Sequence, residues 1–233
     1  MDNNFSFNTP MQESPALSIN SVMRRVYLKM TLGLIVSALV ALFTASTPEL
    51  LSLIFSGRAS FLVLILAEIG LVIGITSGLN KLSSPMAALL FYVFAVVNGF
   101  VLTPVLIVYT SVSIAKTFFI TAGVFGAMTV YGYCTSRDLT SWGSFLIMAL
   151  FGLIIVSIVN MFLGSSGLDL IISCAGVLIF IGLTAWDTQK ISRMAAIASA
   201  DQAGKIATIG ALSLYLDFIN LFLYLLRFFG RRE

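Results

Sequence analysis

The chain has 233 residues, 59% of them hydrophobic and only 10% charged, with a mean hydropathy of +1.04. This excludes an ordinary soluble domain, in which about a quarter of the residues are charged. The net charge of +3 and pI near 9.0 do not describe a nucleic-acid surface, because the Lys and Arg residues stand singly at the edges of apolar runs. With no histidine, no paired cysteines and no Gly-rich phosphate loop, zinc sites, nucleophilic triads and disulfide frameworks lack the residues they need.

In chain order, a polar segment over residues 1–25 comes first. Its head, Met1 to Asn20, holds two of the five prolines and is expected to be disordered. Residues 26–233 then read as a single transmembrane domain, an all-α bundle with seven stretches near the length needed to cross a hydrocarbon core of about 30 Å. The stretches are Met30 to Thr47, Ser60 to Leu79, Pro85 to Tyr109, Ile114 to Cys134, Gly143 to Gly164, Leu168 to Trp186 and Leu212 to Phe229. The first is expected to be a true span in preference to a signal peptide, since its polar leader is long, six more spans follow and no small-residue cleavage site stands after it. Between the sixth and seventh, Lys190 to Lys205 is expected to form a helical loop of its own, because Met194 to Ala200 is rich in alanine.

The basic residues orient the chain. With the N-terminus in the cytoplasm, the inside collects Arg24, Arg25, Lys29, Lys81, Arg137, Lys190, Arg193 and Lys205, and the short outside loops hold Arg58 and Lys116. Seven spans leave Arg227, Arg231 and Arg232 outside, against the rule; a re-entrant last segment would return them. Leu212 to Phe229 is long enough to cross, which favours seven spans. Gly70, Gly74 and Gly78 form a GxxxGxxxG stripe, expected to pack inside the bundle in preference to forming a homodimer seam. Pro104, after Asn98 and Gly99, is expected to kink the third span and free a carbonyl.

Three acids stand inside the apolar runs: Glu68, Asp187 and Asp217. An ionised carboxylate at a helix centre costs about 2.5 to 3.5 kcal/mol on insertion scales, so each should face a partner, a cavity or a proton. Glu68 and Arg227 fall at the outer end and form a candidate structural ion pair. Asp187 and Asp217 fall in the inner half. At about 4 Å and an effective dielectric near 20 their repulsion is about 4 kcal/mol, so a pair in contact shares one proton and releases it near physiological pH. Such contact requires a tilt or a longer sixth helix, because Asp187 stands at the membrane edge and Asp217 below it. The alternatives are a helix-end acid beside Lys190 and a carboxyl bonded to a neighbouring helix.

The segments GLTAWDTQKI, Gly182 to Ile191, and LYLDFINLFLYLLRFFG, Leu214 to Gly230, resemble the Bax inhibitor-1 family, also called the transmembrane Bax inhibitor motif family. RRVYLKMTLGL, Arg24 to Leu34, and NGFVLTP, Asn98 to Pro104, resemble it too, so the likeness covers nearly the whole chain. The resemblance implies a seven-helix bundle with the last helix central and the other six around it. It implies a pH-sensitive latch on a calcium leak, made by Asp187 and Asp217. A basic latch partner is implied on the second helix, where Asn80 and Lys81 are the nearest candidates, and Asn220 adds an amide near the pair. The brevity of the chain and the absence of an organellar targeting segment lead to the expectation of a bacterial inner membrane, although the family's eukaryotic members occupy the endoplasmic reticulum.

The resulting expectation is a non-enzymatic, pH-gated cation leak that carries Ca²⁺ or H⁺ and has no cofactor. Asp187 and Asp217 would bind Ca²⁺ weakly, since two carboxylates fall short of the six to eight oxygens that calcium prefers. The first competing reading is a non-conducting regulatory protein that binds a membrane protease or cell-death partner, the second a proton-coupled small-solute transporter. An intramembrane aspartyl protease lacks its Gly-x-Gly-Asp surround here, and a retinal protein lacks a lysine in Leu212 to Phe229. The chain is expected as a monomer or weak homo-oligomer in the bilayer, without nucleic acid.

Overall fold

The computed structural model describes residues 19–78 and 81–231. They form eight helices: α1 (Ile19–Ala45), α2 (Pro48–Ile54), α3 (Arg58–Gly78), α4 (Ser84–Val108), α5 (Ser111–Cys134), α6 (Thr140–Leu163), α7 (Ser166–Ala196) and α8 (Ala200–Phe229). All except α2 are long and apolar enough to cross a membrane, which makes seven candidate spans in an all-α membrane protein. The short α2 was not expected; Pro48 opens it with a fixed φ and no lost hydrogen bond.

Three boundaries differ most from the hydropathy reading, the start of α1, the end of α7 and the start of α8, and all lie at the basic end of the bundle. Helix α1 starts at Ile19, inside the segment expected to be disordered. Val22, Met23, Val26 and Met30 recur at helical spacing and are buried, while Arg24 and Arg25 point outward. The expectation for residues 1–18 falls outside the described residues. The separate loop helix between Lys190 and Lys205 does not exist. Helix α7 runs on to Ala196, a link of residues 197–199 turns the chain, and α8 starts at Ala200 under a capping box in which Ser199 and Gln202 satisfy each other's backbone amides. A hydropathy window stops at Trp186 because polar residues begin there; the helix continues because those residues have partners.

Helix α8 is central: 67% of its most apolar window is buried, against 6% for α3 and for α6. It packs on α1, α4, α5 and α7. The other two long helices stand one layer out, α3 against α4 and α6 against α7, so four helices and not six surround it directly. Small residues admit the close crossings: Gly210 meets Ile191 and Val26, Gly176 meets the Tyr224 ring, and Gly132 lies on the Ala185 backbone. The glycine stripe of α3 does none of this. A Cβ at Gly70 or Gly74 would meet nothing within 4 Å, so the expected intramolecular packing is corrected: that face is open. Helix α4 continues through Pro104 to Val108, with the Thr103 hydroxyl donating to the Gly99 carbonyl at 3.2 Å.

A buried hydrogen-bond chain ties α1, α3, α4 and α8 together. Ser37 Oγ lies 2.5 Å from the Tyr215 hydroxyl, Tyr215 donates to Asn98 Oδ1 at 2.7 Å, and Asn98 Nδ2 donates to Glu68 Oε1. The Ser37 hydroxyl also reaches the Ala95 carbonyl at 2.6 Å.

The glycine contacts make a test. Gly132→Val drives its side chain into the Ala185 backbone, which has no rotamer to yield, and should cost at least about 2 kcal/mol. Gly74→Ala on the open face should be neutral or slightly stabilising. Thermal unfolding of both variants in one detergent checks the contrast.

Candidate functional site

Asp187 and Asp217 are buried, at 9% and 4% exposure, on the two helices of the α7–α8 hairpin. Their level follows from the contacts that set its register. Phe180 stacks on Tyr224 with ring centroids 5.9 Å apart. Seven residues forward from Phe180 is Asp187, and seven back from Tyr224 is Asp217, so the two stand opposite each other in antiparallel helices. The Ile191–Gly210 contact at the other end gives the same pairing to within a turn. The difference in depth read from hydropathy is therefore removed by the continuation of α7 past Trp186.

Lys190 follows Asp187 by three residues on α7 and shares the wall of one cavity with it. No hydrogen bond joins the two carboxyls, and Oδ2 of Asp217 is buried without a hydrogen-bond partner among the described residues. A cavity of roughly 610 Å³ enters from the basic end; Asp187, Lys190, Lys205, Gln202, Ser213 and Thr76 are among the residues in its wall. Asp217 lies one helical turn deeper than Ser213 on the same face of α8, beyond the end of the cavity. The cavity thus reaches one carboxylate of the pair and stops short of the other.

The remaining candidates are placed differently. Lys81 is exposed in the turn before α4 and is not in the described cavity wall; Asn80 lies outside the described residues. The Asn220 amide donates to the Leu216 carbonyl of its own helix at 2.8 Å. The expected Glu68–Arg227 pair is not formed. Because α3 packs on α4, Glu68 faces Asn98, while Arg227 faces the first turn of α7 and pairs with Asp169 at 3.3 Å, its guanidinium 5.9 Å from the Tyr224 ring. Among the described residues no three His, Cys, Asp or Glu side chains cluster as metal ligands would.

Sequence reading missed the support on the far side of Asp187. Gln189 Oε1 accepts from the Leu139 amide at 2.9 Å, Gln189 Nε2 donates to the Arg137 carbonyl at 2.8 Å, and Arg193 pairs with Asp138 at 2.8 Å. The stretch 135–139 before α6 is thereby stitched to α7 on either side of Lys190. The only signal in the sequence was an Asp and an Arg in two polar gaps, which is too little to pair them. Asp138 also accepts from the Thr140 hydroxyl at 2.7 Å and amide at 3.0 Å. These Thr140 bonds, then the Arg193 guanidinium, hold its carboxyl down at about 2.

A folded-state value below the usual carboxylate range means that the Asp138 contribution to stability is complete above about pH 4 and is lost as the pH falls through about 2. The melting temperature of Asp138→Asn should therefore differ from the parent by a constant amount from neutral pH down to about pH 5, and the difference should close only in stronger acid. A gap that changes between neutral pH and pH 5 would contradict this assignment.

A family model described as "Inhibitor of apoptosis-promoting Bax1" matches residues 19–233. Among similar proteins, one from Borreliella burgdorferi, described as an uncharacterized protein, is 48% identical over 216 residues, covering 92% of this chain and 93% of its own. The inner membrane protein YbhL of Escherichia coli K12 is 44% identical over 222 residues, covering 94% and 95%. An uncharacterized protein of Rickettsia prowazekii is 46% identical over 212 residues, covering 91% and 89%. The chain belongs to the Bax inhibitor-1 family.

Proposed function

We propose that this member of the Bax inhibitor-1 family is a passive, pH-sensitive cation leak, with Ca²⁺ as the favoured cargo and Asp187 and Asp217 as its gate. The observation that carries the reading is the register of the α7–α8 hairpin, which sets two buried carboxylates opposite each other at the inner end of a cavity. The basic end is assigned to the cytoplasm, since Arg24, Arg25, Arg137, Lys190, Arg193 and Lys205 gather there, and the membrane to a bacterial inner membrane, as for the relative YbhL.

Two neighbouring carboxylates out of water cannot both ionise cheaply, so a proton retained by the pair spares their repulsion and lets α7 and α8 stay packed. Loss of that proton leaves two like charges facing each other, and the helices separate. The opened carboxylates offer a divalent cation partial coordination only, which permits release as well as entry.

Calcium flux into proteoliposomes across about pH 6 to 8 tests this. In the parent, flux should rise with pH as the shared proton is lost. Asp217→Asn removes one of the two charges while keeping shape, and its flux should be flat across the same range. An unchanged pH dependence in Asp217→Asn would remove the aspartates from the gate. A parent that passes no ion would turn the reading to a regulatory protein acting through a partner.

A further inference from the structure

The cavity at the basic end has a charge pattern that a cation entrance does not call for. Its wall includes two lysines, Lys190 from α7 and Lys205 from α8, and a single acid, Asp187. The other cationic side chains near this end stand outside the cavity wall, Arg24, Arg25, Lys81 and Arg137 among them as exposed residues. Arg193 pairs with Asp138, and Lys29 donates to Thr208 Oγ1 at 2.6 Å and to the Gly204 carbonyl at 3.4 Å. Neither Lys190 nor Lys205 has an ion-pair partner among the described residues.

Of the two lysines, Lys190 is the exposed one. Lys190 Nζ lies 4.7 Å from the centre of the Trp186 ring, a cation–π contact that holds it along the helix, and Lys205 is half-buried. The space between them is of ligand size at roughly 610 Å³. Gln202 and Ser213 add neutral polar groups to the same wall. Two lysines against one aspartate leave this wall with an excess of positive charge, which a bound anion offsets. A phosphate group, with up to two charges and several acceptor oxygens, matches two lysines on two helices better than a single-charge carboxylate does.

We propose that the cavity at the basic end is a binding site for a phosphate-bearing anion, held between Lys190 and Lys205. The anion would be a free phosphate compound or the headgroup of an anionic phospholipid. This deepens the reading of the same site given above: bound phosphate draws Lys190 towards itself and away from Asp187, so occupancy is sensed by the first carboxylate of the pair. The binding itself does not depend on conduction.

The two tryptophans of the chain make the test direct. In a Trp142→Phe background, Trp186 is the remaining fluorophore, and Lys190 lies over its ring. Emission is followed while inorganic phosphate is added to purified protein in a zwitterionic detergent, and separately after reconstitution into phosphatidylglycerol or phosphatidylcholine nanodiscs. The expected result is a saturable change with phosphate, or a change in phosphatidylglycerol that phosphatidylcholine does not give. The first assigns the free anion and the second the lipid headgroup. Lys205→Gln, which leaves the fluorophore and its own lysine intact, should weaken binding by at least about tenfold, and Lys205→Arg should retain it. No saturation with either probe overturns the proposal, as does saturation that Lys205→Gln leaves unchanged. Because the readout is binding, a protein that binds phosphate but passes no calcium separates this site from the leak reading, and the converse result does so equally.

Discussion

The close, in-register crossing of α7 on α8 is the contact on which the rest of the structure depends. The turn between them is short, residues 197–199, and the two helices then run side by side for most of their 31 and 30 residues. Hydrocarbon gives apolar helices little reason to associate in lipid, so the association rests on shape and on polar contacts. Shape is supplied by Gly210 under Ile191 and Gly176 under the Tyr224 ring. Once those contacts are made, Asp187 has no choice but to face the level of Asp217, since both positions follow from the same register.

The bundle handles its other intramembrane acid in a different way. Glu68 is on an outer helix that packs only on α4 among its described major contacts, yet its carboxylate joins a chain through Asn98 and Tyr215 to Ser37. Each polar group in that chain meets another, which is what a group away from water requires. Asp217 is the contrast: one oxygen is buried without a partner among the described residues. Glu68 is accommodated as structure, whereas the carboxyl of Asp217 keeps bonding capacity unused.

Spans, helix class and the family were legible in the sequence because they rest on long runs and on contiguous motifs such as Gly182 to Ile191. What was not legible rests on pairing between distant segments. Glu68 was matched to Arg227 from depth alone, but depth does not say which neighbour a helix faces; α3 turns to α4, and Arg227 turns to Asp169. The stripe Gly70, Gly74, Gly78 looked like a packing surface, and spacing cannot tell an inward stripe from an outward one. The polar stretch after Trp186 looked like a loop because a hydropathy window scores lipid contact. In fact Gln189 and Arg193 are helical residues bound to the turn before α6.

That turn also limits how the pair can move. On one side α7 is fixed near Asp187 by Gln189 to the backbone of Arg137 and Leu139, by Arg193 to Asp138, and by Gly132 of α5 against the Ala185 backbone. Shifting α7 towards α5 would overlap main chain with main chain, and shifting it away would break the two Gln189 hydrogen bonds. On the other side stands the cavity, bounded by Thr76 of α3 and by α8. Helix α3 is the least constrained wall, since 6% of its apolar window is buried and a Cβ at Gly70 or Gly74 would meet nothing within 4 Å. Any widening at Asp187 therefore takes place on the side of α3 and α8, the side that carries Lys205, while the α5–α6 turn holds α7 as the fixed jaw.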